Sequence, residues 1–268
     1  MLIDYHLHSK YSADSSAEMS DIAASAVLHG ISEIAITDHY DVAPSGMPNW
    51  SASYNPDEYF KEIKELQKMY DGELVIRSAI EIGNAYINPN EADNFINNYP
   101  YDYVLAAIHY SNGVWIVTEF NKVKNLSEFK KEYLENIESI IDWGNFDCLA
   151  HFDLPVRYDS NFNFDDFDEK VEQILNKLAN FSGKGLELNL NSFQYNLQKP
   201  LPSKKILKMW HNAGGRIITI GTDSHYAKNA GKFAQEGQEL LLECGFTGIT
   251  TFEKRKPIMN QIEFIEWN

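Results

Sequence analysis

The chain reads Asp4-Tyr5-His6-Leu7-His8-Ser9-Lys10-Tyr11-Ser12-Ala13-Asp14 directly after the apolar run 1–3. We expect the run 1–3 to form a buried strand, after which the chain leaves the core. In an extended segment, residues i and i+2 point to the same side, so His6 and His8 can aim two imidazoles at one point. Asp14 adds a carboxylate after a short loop, and imidazole with carboxylate is a ligand set of Zn, Mn, Fe or Ni. An isolated H-x-H is more often a chance pair, so the metal-site hypothesis depends on the rest of the chain.

Strand and helix patterns alternate from this stretch to the end of the chain. About seven strand–helix units predict a parallel sheet. Because no Gly-rich phosphate loop follows the first strand, a closed or nearly closed barrel fits better than an open doubly wound sheet. We expect strands at 31–37, 74–83, 103–108, 146–150, 185–189 and 217–221, and helices at 21–29, 56–70, 90–98, 127–143, 165–181, 203–212 and 230–244. The expected N-caps are Ser20, Ser127 and Ser203.

Two remaining segments lie outside this alternation. Residues 40–55 are rich in proline, glycine, serine and asparagine, which predicts a long loop and suggests a lid or pocket wall. The tail 249–268 is expected to form a closing strand and an arm. The whole chain, 1–268, is expected to be a single barrel domain, since an α/β barrel of ~250 residues is one domain.

Composition excludes several classes of partner. The formal net charge is −16, which disfavours nucleic acid or an anionic membrane as a general partner. No basic-then-apolar leader and no run of ~18 apolar residues is present, so we expect a soluble cytoplasmic protein that acts on a small molecule. Cys148 and Cys244 match no metal or redox spacing and are expected to be buried free thiols. The sequence does not decide the oligomeric state.

Six of the eight histidines lie at or just past the carboxyl end of an apolar run: His6, His8, His39, His109, His151 and His225. Glu81 and Asp223 end strands in the same way. In an α/β barrel the carboxyl ends of the strands meet on the face that carries the chemistry. A catalytic serine triad explains these residues less economically, because no G-x-S-x-G motif occurs. The pattern therefore predicts a metal cluster on that face.

Taken together, the D-x-H-x-H stretch, T-D-H at 37–39, Glu81, the two isolated histidines and G-T-D-S-H at 221–225 resemble the polymerase and histidinol phosphatase (PHP) superfamily. The resemblance spans residues 4–225 and is strongest to its histidinol-phosphate phosphatase branch. It implies a distorted (β/α)7 barrel, similar to a TIM barrel, with a trinuclear centre of divalent Zn, Mn or Fe ions at the C-terminal face. The implied ligands are His6, His8, Glu81 and Asp223 for the first metal, Glu81, His109 and His151 for the second, and Asp14, His39 and His225 for the third.

The resemblance also implies an activity, the hydrolysis of L-histidinol phosphate to L-histidinol in histidine biosynthesis. A hydroxide shared by two metals would attack phosphorus, because a bound metal lowers the pKa of water to ~7. Asp223 and His225 are the candidates for the acid that protonates the leaving oxygen. Two alternatives remain open: a PHP-type phosphoesterase that acts on a nucleotide or an oligonucleotide end, and a non-catalytic metal-binding domain.

Arg157 is the one arginine that we expect on the chemical face, where its planar fork could bind the phosphate as a catalytic and substrate-binding residue. Of the other three, Arg77 lies inside a strand, Arg216 precedes a strand and Arg255 is in the tail. The alternative for Arg157 is a surface salt bridge with Asp153 or Asp159. Weaker phosphate-binding candidates are Lys199 and Lys204. Residues that could line a pocket for the rest of the substrate are Tyr40, Trp50, Tyr86, Tyr110, Phe152, Asp153 and Asn191.

Overall fold

The computed structural model describes residues 1–47, 51, 54–195, 197 and 199–262. Its strands are β1 (Ile3–Leu7), β2 (Glu33–Ile36), β3 (His39–Asp41), β4 (Val75–Gly83), β5 (Tyr103–Ala107), β6 (Tyr110–Ser111), β7 (Val114–Trp115), β8 (Cys148–Leu149), β9 (Gly185–Asn189), β10 (Ile218–Gly221), β11 (Gly248–Glu253) and β12 (Lys256–Gln261). Its α-helices are α1 (Met19–Leu28), α2 (Pro56–Met69), α3 (Pro89–Asn97), α4 (Ile116–Glu119), α5 (Leu126–Trp143), α6 (Asp168–Ala179), α7 (Lys204–Asn212) and α8 (Ala234–Glu243).

Seven parallel strands form a nearly closed barrel in the order β1-β2-β4-β5-β8-β9-β10. The two ends of this order meet again beyond β10, where Leu7 forms a parallel bridge with Ser224. There the Asp223 N–H donates to the His6 carbonyl at 2.7 Å, and the His8 N–H donates to the Ser224 carbonyl at 3.0 Å. Helices interleave with the strands along the chain. The predicted barrel of alternating strands and helices is therefore confirmed.

The first strand lies further along the chain than we predicted. Instead of 1–3, β1 begins at Ile3 and includes His6. A strand buried on both faces of a parallel sheet normally reads as an apolar run. The polar residues of β1 are tolerated because they have partners: Asp4, for example, accepts from the Thr222 N–H at 2.9 Å and from the Thr222 hydroxyl at 2.6 Å.

Two of the predicted N-caps were also wrong. Helix α1 has Glu18 at its N-cap, so Ser20 lies within the first turn. Helix α5 has Asn125 at its N-cap, where the side chain accepts from the Glu128 N–H, and Ser127 lies inside the helix. Asn125 and Glu128 have the spacing of a reciprocal cap, since the Asn125 amide also donates to the Glu128 carboxylate at 3.3 Å.

The predicted closing strand in the tail was wrong as well. β11 and β12 form a separate antiparallel hairpin rather than a barrel strand. This hairpin packs at the amino-terminal end of the barrel: the Ile218 N–H donates to Thr250 Oγ1 at 3.2 Å, and the Phe252 N–H donates to the Tyr5 hydroxyl at 2.9 Å. It therefore covers the barrel end opposite the predicted chemical face.

Short strands occupy two places where we expected none. β3 lies at the start of the predicted loop 40–55 and pairs in parallel with β4. Residues 48–50, 52 and 53 of that loop, and with them the predicted pocket residue Trp50, lie outside the described residues. β6 and β7 form a hairpin whose turn residues Asn112 and Gly113 both have positive φ, 51° and 78°. Asn-Gly with two positive φ angles is typical of a type I′ turn.

In the part of the chain that the structure describes, no helix is long and apolar enough to cross a membrane. Cys148 and Cys244 are buried free thiols, as the sequence predicts.

The hydroxyl of Tyr59 on α2 completes the ladder between β4 and the broken strand formed by β2 and β3. Between those two strands the pairing with β4 is interrupted, and the Tyr59 hydroxyl bridges the gap. It donates to the Ile36 carbonyl at 2.6 Å and accepts from the Ala79 N–H at 2.8 Å. Because Tyr59 is fully buried, no solvent can replace these bonds.

Replacing Tyr59 by phenylalanine should lower the free energy of unfolding by about 1–3 kcal/mol, because the buried Ala79 N–H loses its acceptor. Urea denaturation of both proteins measures this difference. Tyr40→Phe is the matched control and should change stability by less than about 0.5 kcal/mol, since the Tyr40 hydroxyl is half-buried and lies 3.5 Å from Glu91. Equal losses in the two variants would contradict the role given to the Tyr59 hydroxyl.

Candidate metal centre

The carboxylate of Glu81, fully buried in β4, lies at the middle of a cluster of imidazoles. Five histidines contact it: His39 Nδ1, His6 Nε2 and His8 Nε2 lie 2.9, 3.1 and 3.5 Å from Oε2, and His151 Nε2 and His109 Nε2 lie 3.1 and 3.2 Å from Oε1. The two oxygens thus face two different groups of histidines. One carboxylate placed in this way can serve two neighbouring ions.

The carboxylate of Asp223 forms a second anionic point in the cluster. Its Oδ1 lies 3.3 Å from His8 Nε2 and 3.7 Å from His6 Nε2. Asp223 and His151 have positive φ angles, 49° and 24°. Such angles are uncommon for residues other than glycine and concentrate at functional sites.

Asp14, His39 and His225 form the outer edge of the cluster. Asp14 Oδ2 lies 3.1 Å from His225 Nε2 and 3.6 Å from His39 Nε2. The Asp14 side chain is 49% exposed, so this edge is open to solvent whereas Glu81 is not. The structure therefore brings all nine sequence-predicted ligands into one continuous cluster.

The donor atoms of the cluster fit divalent cations. Five of its buried atoms make no well-aligned hydrogen bond among the described residues, although several lie close to one another: His6 Nε2, His8 Nε2, His39 Nδ1, Glu81 Oε2 and His151 Nδ1. Buried polar atoms normally have partners, so this many in one place fit the binding of a cation. Groups such as His6-His8-Glu81 and Glu81-His109-His151 place one donor atom from each residue within 4.8 Å of the others. Imidazole and carboxylate are the donors that Zn, Mn and Fe accept.

A further shell of carboxylates and hydroxyls, which the sequence analysis did not identify, orients the histidines. Glu187 Oε1 lies 2.5 Å from His6 Nδ1, and the other oxygen of Glu187 accepts from the His151 N–H at 2.9 Å. Asp41 Oδ1 lies 2.7 Å from His109 Nδ1. Such contacts leave Nε2 of each ring directed at the centre and fix its tautomer.

His8 has a similar contact through a hydroxyl. Its Nδ1 lies 3.1 Å from Ser12 Oγ, which donates to the buried Asp38 carboxylate at 2.7 Å. The one signal for these supporting residues was a single acid inside an apolar run, as Glu187 is in Leu186-Glu187-Leu188. That signal does not tell which side chain the acid contacts.

Electrostatics keep the central carboxylate ionised. Burial raises the pKa of Glu81, but the neighbouring imidazoles of His6, His39 and His109 outweigh it and hold the pKa well below its usual range. Burial likewise raises the pKa of Asp223, and the Arg157 guanidinium and His6 again lower it well below its usual range. Both anions are therefore available as ligands at neutral pH.

Arg157 lies at the cluster, with the side chain largely buried. Its Nη2 donates to Asp223 Oδ2 at 2.6 Å and to Asn189 Oδ1 at 3.3 Å. The alternative of a surface salt bridge with Asp153 or Asp159 is wrong, since the partner is Asp223. Arg157 Nε is buried without a hydrogen-bond partner among the described residues.

The other basic candidates pair elsewhere. Lys204 forms an ion pair with Glu243 at 2.6 Å, and Lys199 donates to the Ser160 carbonyl at 2.6 Å. Arg216 is exposed and donates to backbone carbonyls.

The predicted pocket residues have other contacts. Tyr40 stacks on Phe95, the Tyr86 hydroxyl donates to the Tyr110 carbonyl, and Asn191 donates to the Asp223 carbonyl at 2.6 Å. Phe152 is buried, and Asp153 accepts from the Ser203 N–H at 3.0 Å. A cavity adjoining the cluster is lined instead by Ala13, Asp14, His39, Asp41, His109, Trp115, Val117 and Thr118.

The chain is similar to known proteins over most of its length. The family model of the PHP domain matches residues 4–191. A histidinol-phosphatase of Lactococcus lactis is 31% identical over 266 residues and covers 97% of both chains. A probable histidinol-phosphatase of Thermotoga maritima is 29% identical over 245 residues, covering 91% of this chain and 93% of the relative.

The chain is also similar to solved structures. The crystal structure of histidinol phosphate phosphatase from Lactococcus lactis, complexed with Zn, L-histidinol and phosphate, has a TM-score of 0.85 at 31% identity and covers 96% of this chain and 98% of that one. A putative histidinol phosphatase from Listeria monocytogenes has a TM-score of 0.75 at 18% identity, which supports the fold alone.

Glu187→Ala should weaken zinc binding by about 10- to 100-fold, the usual effect of removing a residue that orients a metal-binding histidine. Competition with a chromophoric chelator measures the affinity. Glu187→Gln should fall between the alanine variant and the wild type, because its amide keeps the shape and one acceptor. Glu172→Ala, at an exposed position on α6, is the matched control. Unchanged zinc affinity in a folded Glu187→Ala protein would show that Glu187 does not support the centre.

Proposed function

Because the chain belongs to the PHP domain family, we propose that it is a metal-dependent enzyme that hydrolyses L-histidinol phosphate to L-histidinol and phosphate. The observation that carries the proposal is the buried Glu81 carboxylate with five histidines around it. The similarity to a histidinol-phosphatase extends over 97% of the chain, and the PHP domain model matches residues 4–191, which contain seven of the nine cluster residues. Residues 1–268 act as one domain in this proposal.

The proposed centre holds three divalent ions. The first takes His6, His8, Glu81 and Asp223, the second takes Glu81, His109 and His151, and the third takes Asp14, His39 and His225. Zinc is supported by the ion in the Lactococcus lactis complex, and Mn and Fe suit the same donors. Bound divalent ions would supply water of lowered pKa at neutral pH and would stabilise the charge on the phosphoryl oxygens.

The remaining steps of the hydrolysis involve water, the phosphate ester and residues of the chain. A water oxygen bonds to phosphorus and releases one proton, the ester P–O bond breaks, and the leaving alkoxide takes up one proton. We assign Arg157 to a phosphoryl oxygen, since its Nε is buried without a hydrogen-bond partner among the described residues. Asp223 stays ionised beside Arg157 and cannot supply the proton. His225 is proposed as a ligand of the third ion, and a metal-bound imidazole has no acid proton to give, so the proton comes from the attacking water at the open edge beside Asp14.

The competing functions are less well supported. An oligonucleotide substrate conflicts with a net charge of −16, because binding to nucleic acid depends mainly on basic residues. A non-catalytic metal-binding domain does not need an arginine directed at the centre. We keep a cytoplasmic location within the proposal, which the two free thiols support.

Glu81→Ala should abolish hydrolysis of L-histidinol phosphate and lower the metal content by more than one ion per chain, because one carboxylate serves two sites. Phosphate release and elemental analysis of the purified protein measure the two effects. Glu73→Ala, at an exposed position just before β4, is the control and should keep both. Full metal content with near-normal turnover in Glu81→Ala would rule out the bridging role.

Arg157→Ala should lower kcat/KM by about one to two powers of ten, the size of a charge-assisted bidentate contact. Arg157→Lys should recover little, since a point charge cannot reproduce the planar fork. The control is Arg216→Ala, which should leave kcat/KM nearly intact because Arg216 is exposed and bonds to its own segment. If Arg216→Ala proved the more damaging change, the assignment of Arg157 to the phosphate would be wrong.

A further inference from the structure

The side-chain amide of Asn189, at the end of β9, has a partner for each of its donors and acceptors. Its Nδ2 donates to Glu187 Oε2 and to Asp223 Oδ2, both at 3.2 Å. Its Oδ1 accepts from Arg157 Nη2 at 3.3 Å and from the Asn191 N–H at 3.0 Å. An amide offers two N–H donors and an oxygen with two lone pairs, so these bonds use its full capacity.

This set of partners fixes the amide in one orientation. If nitrogen and oxygen were exchanged, the oxygen would face two carboxylates and the nitrogen would face a guanidinium, so the arrangement is unambiguous. The bond from the Asn191 N–H closes an Asx turn directly after β9. The backbone of Asn189 is held as well, since it exchanges hydrogen bonds of 2.7 and 3.0 Å with Leu201. Asn189 is therefore a fixed and fully buried point beside the cluster.

Arg157 depends on such a point because its side chain is long and projects from the short 3-10 helix Leu154–Arg157. Asp223 Oδ2 holds Nη2 at 2.6 Å, but one acceptor leaves the guanidinium plane free to turn about that bond. Asn189 supplies a second acceptor for the same nitrogen. Because both N–H bonds of one guanidinium nitrogen lie in the plane of the group, two acceptors fix that plane.

We propose that Asn189 is a positioning residue for the hydrolysis, which holds the plane of the Arg157 guanidinium at the angle at which it meets the phosphoryl oxygens. This inference rests on the proposed function. Without the amide, Glu187 Oε2 keeps its bond from the His151 N–H at 2.9 Å. Asp223 Oδ2 keeps its bond from Arg157. The proposed metal ligands should therefore stay in place, and the loss of Asn189 should reach the substrate through Arg157.

A double-mutant cycle with Arg157 tests this role at saturating zinc. Asn189→Ala should lower kcat/KM for L-histidinol phosphate by about three- to tenfold, the size of one lost hydrogen bond to a charged group. In the Arg157→Ala background the same change should cost less than about twofold, because the residue that it acts through is gone. Asn189→Ser, which keeps a hydroxyl, should fall between Asn189→Ala and the wild type. Asn260→Ala, on β12 at the other end of the barrel, is the matched control and should leave kcat/KM unchanged.

Binding of inorganic phosphate to the zinc-loaded protein gives a second measurement that does not need turnover. Calorimetric titration should show about three- to tenfold weaker binding to Asn189→Ala than to the wild type, with zinc affinity unchanged. An equal loss of kcat/KM in both backgrounds, or a loss of zinc affinity like that expected for Glu187→Ala, would overturn the proposal. If Asn189→Ala did not fold, Asn189→Ser would take its place in the same cycle. If the wild type did not hydrolyse L-histidinol phosphate, the proposed function would fail, and the phosphate titration would decide the role of Asn189 by itself.

Discussion

The burial of one ionised carboxylate, that of Glu81, constrains the rest of this molecule. An isolated carboxylate in a protein core is strongly unfavourable unless opposite charge and hydrogen bonds compensate it. Here five imidazoles surround the two oxygens, and they come from β1, from the loop just after β1, from β3 and from the ends of β5 and β8. Only a closed or nearly closed arrangement of parallel strands brings so many strand ends around one point. The barrel and the cluster therefore depend on each other.

The features that followed from the sequence were those with a strong local signal. The apolar run of β9 was predicted at 185–189, and the structure has it at Gly185–Asn189. Helix α2 was predicted at 56–70 and found at Pro56–Met69, because Pro56 fixes its start and its apolar spacing is regular. The convergence of the predicted ligands needed one further step, that parallel strand ends share a face. That step holds whatever the exact bounds of each strand.

The features that were missed depend on contacts between distant segments. Glu187 is a lone acid in an apolar strand, and its contact with His6 joins residues 181 positions apart. The tail was expected to close the barrel because it reads as a strand, but β1 and β10 already meet through Leu7 and Ser224. The β6–β7 hairpin is different, since Asn112-Gly113 is a strong turn signal that the helix-and-strand alternation obscured.

Asn189 connects the residues that orient the proposed metal ligands with the arginine that is proposed to bind the phosphate. The side chain of Asn189 donates to Glu187 Oε2 and to Asp223 Oδ2, both at 3.2 Å, and its oxygen accepts from Arg157. Glu187 orients His6, and Arg157 lies on the side proposed for the phosphate. The Asn189 amide therefore links Glu187, which orients the proposed ligand His6, with Arg157, which is proposed to bind the substrate. Because a partly satisfied buried network is costly, a shift of Arg157 is opposed by the same bonds that fix His6.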